Sequence, residues 1–162
     1  PADPRSAVKR VGGFSLIEVL AVTVVIAVTG AVTLPVLFEG DDVRCAREAR
    51  RLAAALGGAA QEALLTGRAH AVVLTPDGYR FEVRGTGGGW RSAAAPELAA
   101  HRLDLAVRID AAQSDGSPLA PGQRLVFSPV ADQPPFEIRL AHPRGQVRVV
   151  GTGPGEPHVE TP

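Results

Sequence analysis

Hydrophobic and polar positions divide the 162-residue chain into three regimes. Residues 14–38 form an apolar run whose single charge is Glu18. Beyond it the apolar positions return every third or fourth residue. Ala49, Leu52, Leu56, Ala59, Ala60, Ala63 and Leu64 fall on one stripe, with Arg47, Glu48, Arg50, Arg51, Gln61 and Glu62 on other faces. That spacing predicts an amphipathic helix over 39–67, capped by Asp41 or Asp42 and ended by Gly67. From residue 68 the period becomes two. Strands are predicted at 70–74, 79–84, 103–110, 124–128, 136–140 and 146–150, with turns at Pro76-Asp77-Gly78 and at 142–145. Residues 85–96 and 111–123 read as loops and 151–162 as a flexible tail, because Gly, Ser, Ala and Pro dominate them.

The fold class expected is therefore α+β. A long N-terminal helix, membrane-spanning in its first half, precedes an antiparallel β-sheet or β-sandwich globular domain over 68–150. Run unbroken to Thr66, that helix would be about 80 Å long. The apolar run covers 25 residues, and about 20 suffice to cross a bilayer core. It is too long for a secretory signal peptide, and the Glu39-Gly-Asp-Asp stretch after it offers no small-residue cleavage site. Lys9 and Arg10 precede the run, so the N-terminus is expected in the cytoplasm and everything past residue 39 across the membrane. In a bacterium that means a single-pass inner-membrane protein with a periplasmic domain. Pro35 is expected to kink the helix within the membrane, where such breaks are tolerated. Gly57-Gly58 weakens the second helical half and is expected to admit a closely packed sheet.

Charge adds one asymmetry. The formal net charge is zero, yet residues 1–13 carry +2 and the remainder −2. Such a balance gives no global pull toward nucleic acid. Arg139, Arg144 and Arg148 alternate with apolar residues, which is the pattern of a solvated strand face. The chain begins at Pro1, so a gene start upstream is expected. Cys45 is the only cysteine, which excludes an internal disulfide and a cysteine-based metal site, and it reads as a small packed residue. No catalytic group, metal site, cofactor or small-molecule substrate is expected. Gly85–Trp90 is glycine-rich without the Lys-Ser/Thr of a phosphate loop. His70, His101, His142 and His158 have no metal-binding spacing, and Asp104 and Asp110 sit on the polar side of a strand. An enzyme tethered by its N-terminus is the competing class, and assaying the globular domain for hydrolysis separates the two.

Glu18 needs a reason, since a charge at the centre of a membrane helix costs about 2.5–3.5 kcal/mol. A cationic partner offsets that cost. At about 4 Å in an effective dielectric of about 20 an ion pair attracts by about 4 kcal/mol. Arg10 is one candidate partner. An α-ammonium on Phe14, created by a cut after Gly13, is another and lies four residues before Glu18.

Lys9-Arg10-Val-Gly-Gly13 followed by Phe14-Ser-Leu-Ile-Glu18 resembles the leader and cleavage site of type IV prepilins and of the pseudopilins of type II secretion. The resemblance implies a basic leader over 1–13, a transmembrane helix over 14–38, cleavage between Gly13 and Phe14 by the prepilin peptidase, and N-methylation of Phe14. It also implies a filament-assembly role for Glu18, paired with the first amine of a neighbouring subunit, and a helix-bending role for Pro35. The Arg/Ala-rich helix, then AHAVVLTPDGYRFEV, a GGGW loop and LVFSPVADQPPFEIRL are similar to the H-type minor pseudopilin of type II secretion. Here Pro129–Pro135 lacks the glycine that the matching turn often carries. The implied partners are the prepilin peptidase, other major and minor pseudopilins and the inner-membrane assembly platform. A minor pilin of a type IV pilus, working in assembly, adhesion or DNA uptake, is the alternative.

Overall fold

A computed structural model describes residues 16–37, 40–130, 132–152 and 155–161, with the backbone alone over 29–37. The chain forms two units that divide between residues 39 and 40. The first holds helix α1, Leu16–Leu37, which runs on past Pro35.

The second opens with α2, Asp41–Thr66. The two helices are separate elements, so the unbroken helix expected from the sequence is not formed. Gly40 interrupts it with extended backbone (φ −63°, ψ 151°) and serves as the N-cap of α2. Its carbonyl accepts the N–H groups of Val43 and Arg44 at 3.0 and 3.2 Å. Asp41 and Asp42 stand inside the first turn rather than capping it, where their charge favours the positive end of the helix dipole. Gly67 closes α2 in the left-handed conformation at φ +64°.

Among the described residues ten strands follow, all paired antiparallel: β1 His70–Thr75, β2 Gly78–Arg84, β3 Trp90–Ser92, β4 His101–Arg102, β5 Arg108–Ser114, β6 Ser117–Pro118, β7 Arg124–Phe127, β8 Phe136–His142, β9 Gly145–Gly151 and β10 His158–Glu160. A short 3-10 turn, Pro96–Leu98, stands between β3 and β4. The first sheet has the order β3-β2-β1-β7, with β4 also paired to β2; the second has the order β10-β9-β8-β5-β6. The stripe of α2 is what both sheets cover. Ala49, Leu52, Leu56, Ala59 and Ala63 are fully buried with Val72, Phe81, Phe127, Ile138, Leu140 and Val149 in one core. Each fully buried leucine or valine contributes about 1.5–3 kcal/mol. Leu64, which the periodicity places on the stripe, is instead 67% exposed.

Phe127 and Phe136 join the sheets, their rings 6.2 Å apart and edge-to-face at 88°. Gly151 lies against Phe136 so closely that a Cβ would overlap the ring. Gly57 and Gly58 face Pro157 and Leu98 at ordinary contact distances, with no close sheet behind them.

Four further expectations change. The loop expected over 85–96 holds β3, paired to the end of β2. The run 103–110 is not one strand, because Asp104 turns the chain. Its carboxylate accepts the N–H of Ala106 and its carbonyl that of Val107, so β5 starts only at Arg108. Residues 111–123 contain a hairpin whose two-residue turn, Asp115-Gly116, has positive φ at both positions, the geometry that matches strand twist. Within 151–162, β10 pairs with β9 through His158↔Val150 and Glu160↔Arg148. Val159 packs on the core, and that apolar contact fixes what the composition marked as a loose tail.

Candidate assembly site

The chemistry singled out from the sequence lies in the apolar helix. Gly13 and Phe14 fall outside the described residues. Glu18 stands in the first turn of α1 with its side chain exposed. Its described neighbours are exposed too, from Leu16 at 86% to Val22 at 53%. A helix apolar all round is one that finds cover elsewhere. The hydroxyl of Thr23 donates to the carbonyl of Val19 one turn back, so its polar atom is satisfied within the helix. No helix among the described residues is long and apolar enough to cross a membrane; the described side chains of α1 end at Val28. Pro35 lies within α1, its side chain outside those described.

In the globular unit, the buried polar residue that α2 itself carries is Glu48, 8% exposed. Its Oε2 is 2.7 Å from Nε2 of His101 on β4, and Tyr79 lies beside that imidazole with ring centroids 5.4 Å apart. The pair fastens the helix to the edge of the first sheet, a buried carboxylate answered by a hydrogen bond. Burial pushes the Tyr79 phenol up to about 12, with Arg51 opposing by charge and hydrogen bond. One turn before Glu48, Cys45 is fully buried, its Sγ 3.9 Å from the Leu140 carbonyl. Burial, then the charges of Asp42 and Glu48, pushes its thiol up to about 11. Such a thiol is protonated and inert at neutral pH, as a packing residue should be.

The other polar groups are dispersed. Nδ1 of His70 is 3.0 Å from the Arg68 carbonyl, His142 lies 3.4 Å from Asp42, and His158 lies 3.5 Å from Glu160. Among the described residues no group of three His, Cys, Asp or Glu side chains stands where it could hold a metal. Arg148 pairs with Glu137 at 3.8 Å and Glu160 at 3.1 Å, and Arg139 with Glu137 at 3.8 Å. Two of the three C-terminal arginines therefore answer acids on their own sheet. The Gly85–Trp90 stretch leads into β3, with a hydrogen bond from the Gly85 N–H to the Gly89 carbonyl at 2.7 Å. An open groove of about 530 Å³ runs along α2 beside Gly57, Gln61, Leu64 and Pro157.

Residues 48–155, most of α2 and nearly all of the two sheets, match a family model described as type II transport protein GspH. The chain belongs to the type II transport protein GspH family. Two solved structures of the minor pseudopilin EpsH from the type II secretion system of Vibrio cholerae share its fold. At 17% and 14% identity they cover 74% of this chain and 98% and 97% of their own, with TM-scores of 0.59 and 0.61. No curated protein matches the chain. This GspH-family chain is a minor pseudopilin of type II secretion, in a family of structural subunits that associate with other pseudopilins. Its two-sheet domain, wrapped on one amphipathic helix, is the globular part of such a subunit. The apolar α1 with its single early carboxylate stands before it.

Proposed function

We propose that this chain is made as a prepilin, anchored in the bacterial inner membrane by residues 14–38, with the leader 1–13 in the cytoplasm and residues 40–162 in the periplasm. The prepilin peptidase cuts after Gly13 and methylates Phe14. The inner-membrane assembly platform then moves the subunit from lipid into a periplasmic pseudopilus that drives export of folded proteins. The observation that carries this reading is the joining, in one chain, of a GspH-family domain over 48–155 to an exposed apolar helix whose only charge is Glu18 in its first turn.

Glu18 supplies what lipid-like contacts do not. Apolar side chains slide past one another with little preference for register. A carboxylate pairing with the amine of Phe14 on a neighbour fixes one axial position. Pro35 sets a bend near the outer end of the span, where it removes one helical hydrogen bond.

The test is Glu18→Leu in the native host. The variant is expected to insert and to be cut normally, because the scissile bond and Gly13 are untouched. Crosslinking to partner pseudopilins and export of the system's substrates are expected to fall at least tenfold, the equivalent of about 1.4 kcal/mol, well within the roughly 4 kcal/mol of the lost pair. Wild-type crosslinking together with wild-type export would overturn the assembly role of Glu18. Unchanged export with loss of surface pili would move the chain to a type IV pilus.

A further inference from the structure

The first sheet has an outer face turned away from the core. Its inner face, Val72, Leu74, Tyr79, Phe81, Leu125 and Phe127, belongs to the core. Alternation then places Arg80, Glu82 and Arg84 of β2, Ala71 and Val73 of β1, and Arg124 and Val126 of β7 on the opposite side. Trp90 of β3 stands directly opposite Arg84. Arg102 of β4, opposite Gly78 and 3.8 Å from Asp77 of the β1–β2 turn, shares this side, so four exposed arginines against Glu82 and Asp77 give the face a charge of +2 on a chain whose total is zero.

The arginines are held, not merely present. Glu82 is 9% exposed. Its Oε2 accepts Nε of Arg124 at 2.6 Å, and its Oε1 is 3.4 Å from Nε of Arg80. Both guanidinium groups meet this carboxylate through Nε, so these bonds do not use the Nη1/Nη2 end of either fork, the end that can bind a second carboxylate in two-point fashion. The Arg124 guanidinium also lies 5.4 Å from the centre of the Trp90 ring, a cation–π contact that restrains it further. Arg80 and Arg124 both pair with Val73 across β1, so their backbones are two strand spacings, about 10 Å, apart. On the strand between them stands Val73, small and fully buried, beside the Glu82 carboxylate that both arginines contact.

We infer that this face binds an acidic protein segment, with carboxylates meeting the Arg80 and Arg124 forks and an adjoining side chain covering Trp90. Trp and Arg in fixed positions are the residue types that dominate interface energetics, and forks oriented in advance lose less freedom on binding. Nucleic acid fits the face poorly. Duplex binding draws on a long run of cations, and here two of the arginines flank a fixed negative charge.

Trp90 is the only tryptophan in the chain, so intrinsic fluorescence reports this face alone. The full chain in detergent is titrated at low ionic strength with poly-L-glutamate and, separately, with duplex DNA. Calorimetry runs in parallel. Poly-L-glutamate is expected to shift Trp90 emission saturably. Arg80→Gln combined with Arg124→Gln should weaken binding about tenfold or more, the loss of one or two charge-assisted pairs, while Arg144→Gln on the β8–β9 turn should leave it unchanged. Glu82→Gln is the decisive variant. Orientation by Glu82 predicts weaker binding although the face becomes more positive; bulk attraction predicts tighter binding. An unreactive Cys45 thiol shows that each variant is folded. Absence of a saturable response, equal binding by the double arginine variant, tighter binding by Glu82→Gln, or a response to DNA but not to poly-L-glutamate would each overturn the assignment.

Discussion

Phe127→Ala is expected to lower the stability of the globular unit by about 3–5 kcal/mol, the range for removing a buried aromatic ring. Domains of this size have only about 5–15 kcal/mol in total, so the variant should stand close to unfolding at room temperature. Position and geometry both raise the cost. Phe127 is 1% exposed on β7 of the first sheet, and its ring meets Phe136 of the second sheet edge-on. Deleting it opens a cavity and removes the aromatic contact that joins the two sheets over α2. Urea unfolding in detergent, followed by modification of Cys45, measures the loss, since that thiol is fully buried in the folded chain. Val126→Ala is the matched control. Its side chain lies on the outer face at 38% exposure, and the change should stay within about 0.5 kcal/mol. A loss below about 1 kcal/mol for Phe127→Ala would mean that the sheets are held by other contacts.

Gly13→Leu is expected to abolish processing. The peptidase must bring the scissile backbone close to its catalytic groups, and a bulky side chain at the residue before the cut stands in the way. A misplacement of about 1 Å at a reacting bond costs about a hundredfold in rate, so precursor should accumulate with no mature form on a denaturing gel. Gly13→Ala, one carbon larger, should be cut slowly but detectably. Export should fail with Gly13→Leu, because no free amine forms on Phe14 to meet Glu18. Normal processing of Gly13→Leu would place the cleavage site elsewhere.

Period alone made much of the globular fold legible. Ala49, Leu52, Leu56, Ala59 and Ala63 announced the buried face of α2, and clean alternation at Tyr79, Phe81 and Val83 announced β2. Two of the misreadings sit at aspartates that turn the chain. Asp104 breaks an eight-residue alternation by accepting hydrogen bonds from two and three residues ahead, and Leu105, inside the expected strand, ends fully exposed at 100%. Asp115-Gly116 carried a usable signal, since Asp-Gly is a preferred two-residue hairpin turn, but the Ser- and Pro-rich surroundings masked it. The strand at His158–Glu160 had none. It is three residues long, and what stabilises it is Val149 and Val150 across the ladder and α2 beneath.

The polar groups of the globular unit were less legible than its core. Glu48 read as a solvated helix residue because charged side chains rarely go inside. Its partner, His101, lies 53 residues further on in a two-residue strand, and no local pattern connects them. The Glu82–Arg80–Arg124 arrangement is of the same kind. Its members alternate normally along two strands, and only the pairing of both β2 and β7 with β1 brings the arginines onto one carboxylate. The motif at Gly13, Phe14 and Glu18 is the reverse case. Its positions are neighbours along the chain, so spacing alone is enough to suggest it.

The intact mass of the protein extracted from the membranes of its native host tests the account most directly. A processed pseudopilin gives a single species that begins at Phe14 and carries one added methyl group, with residues 1–13 gone. A protein that keeps residues 1–13 in cells whose prepilin peptidase is active, or one that begins at a residue other than Phe14, would contradict it.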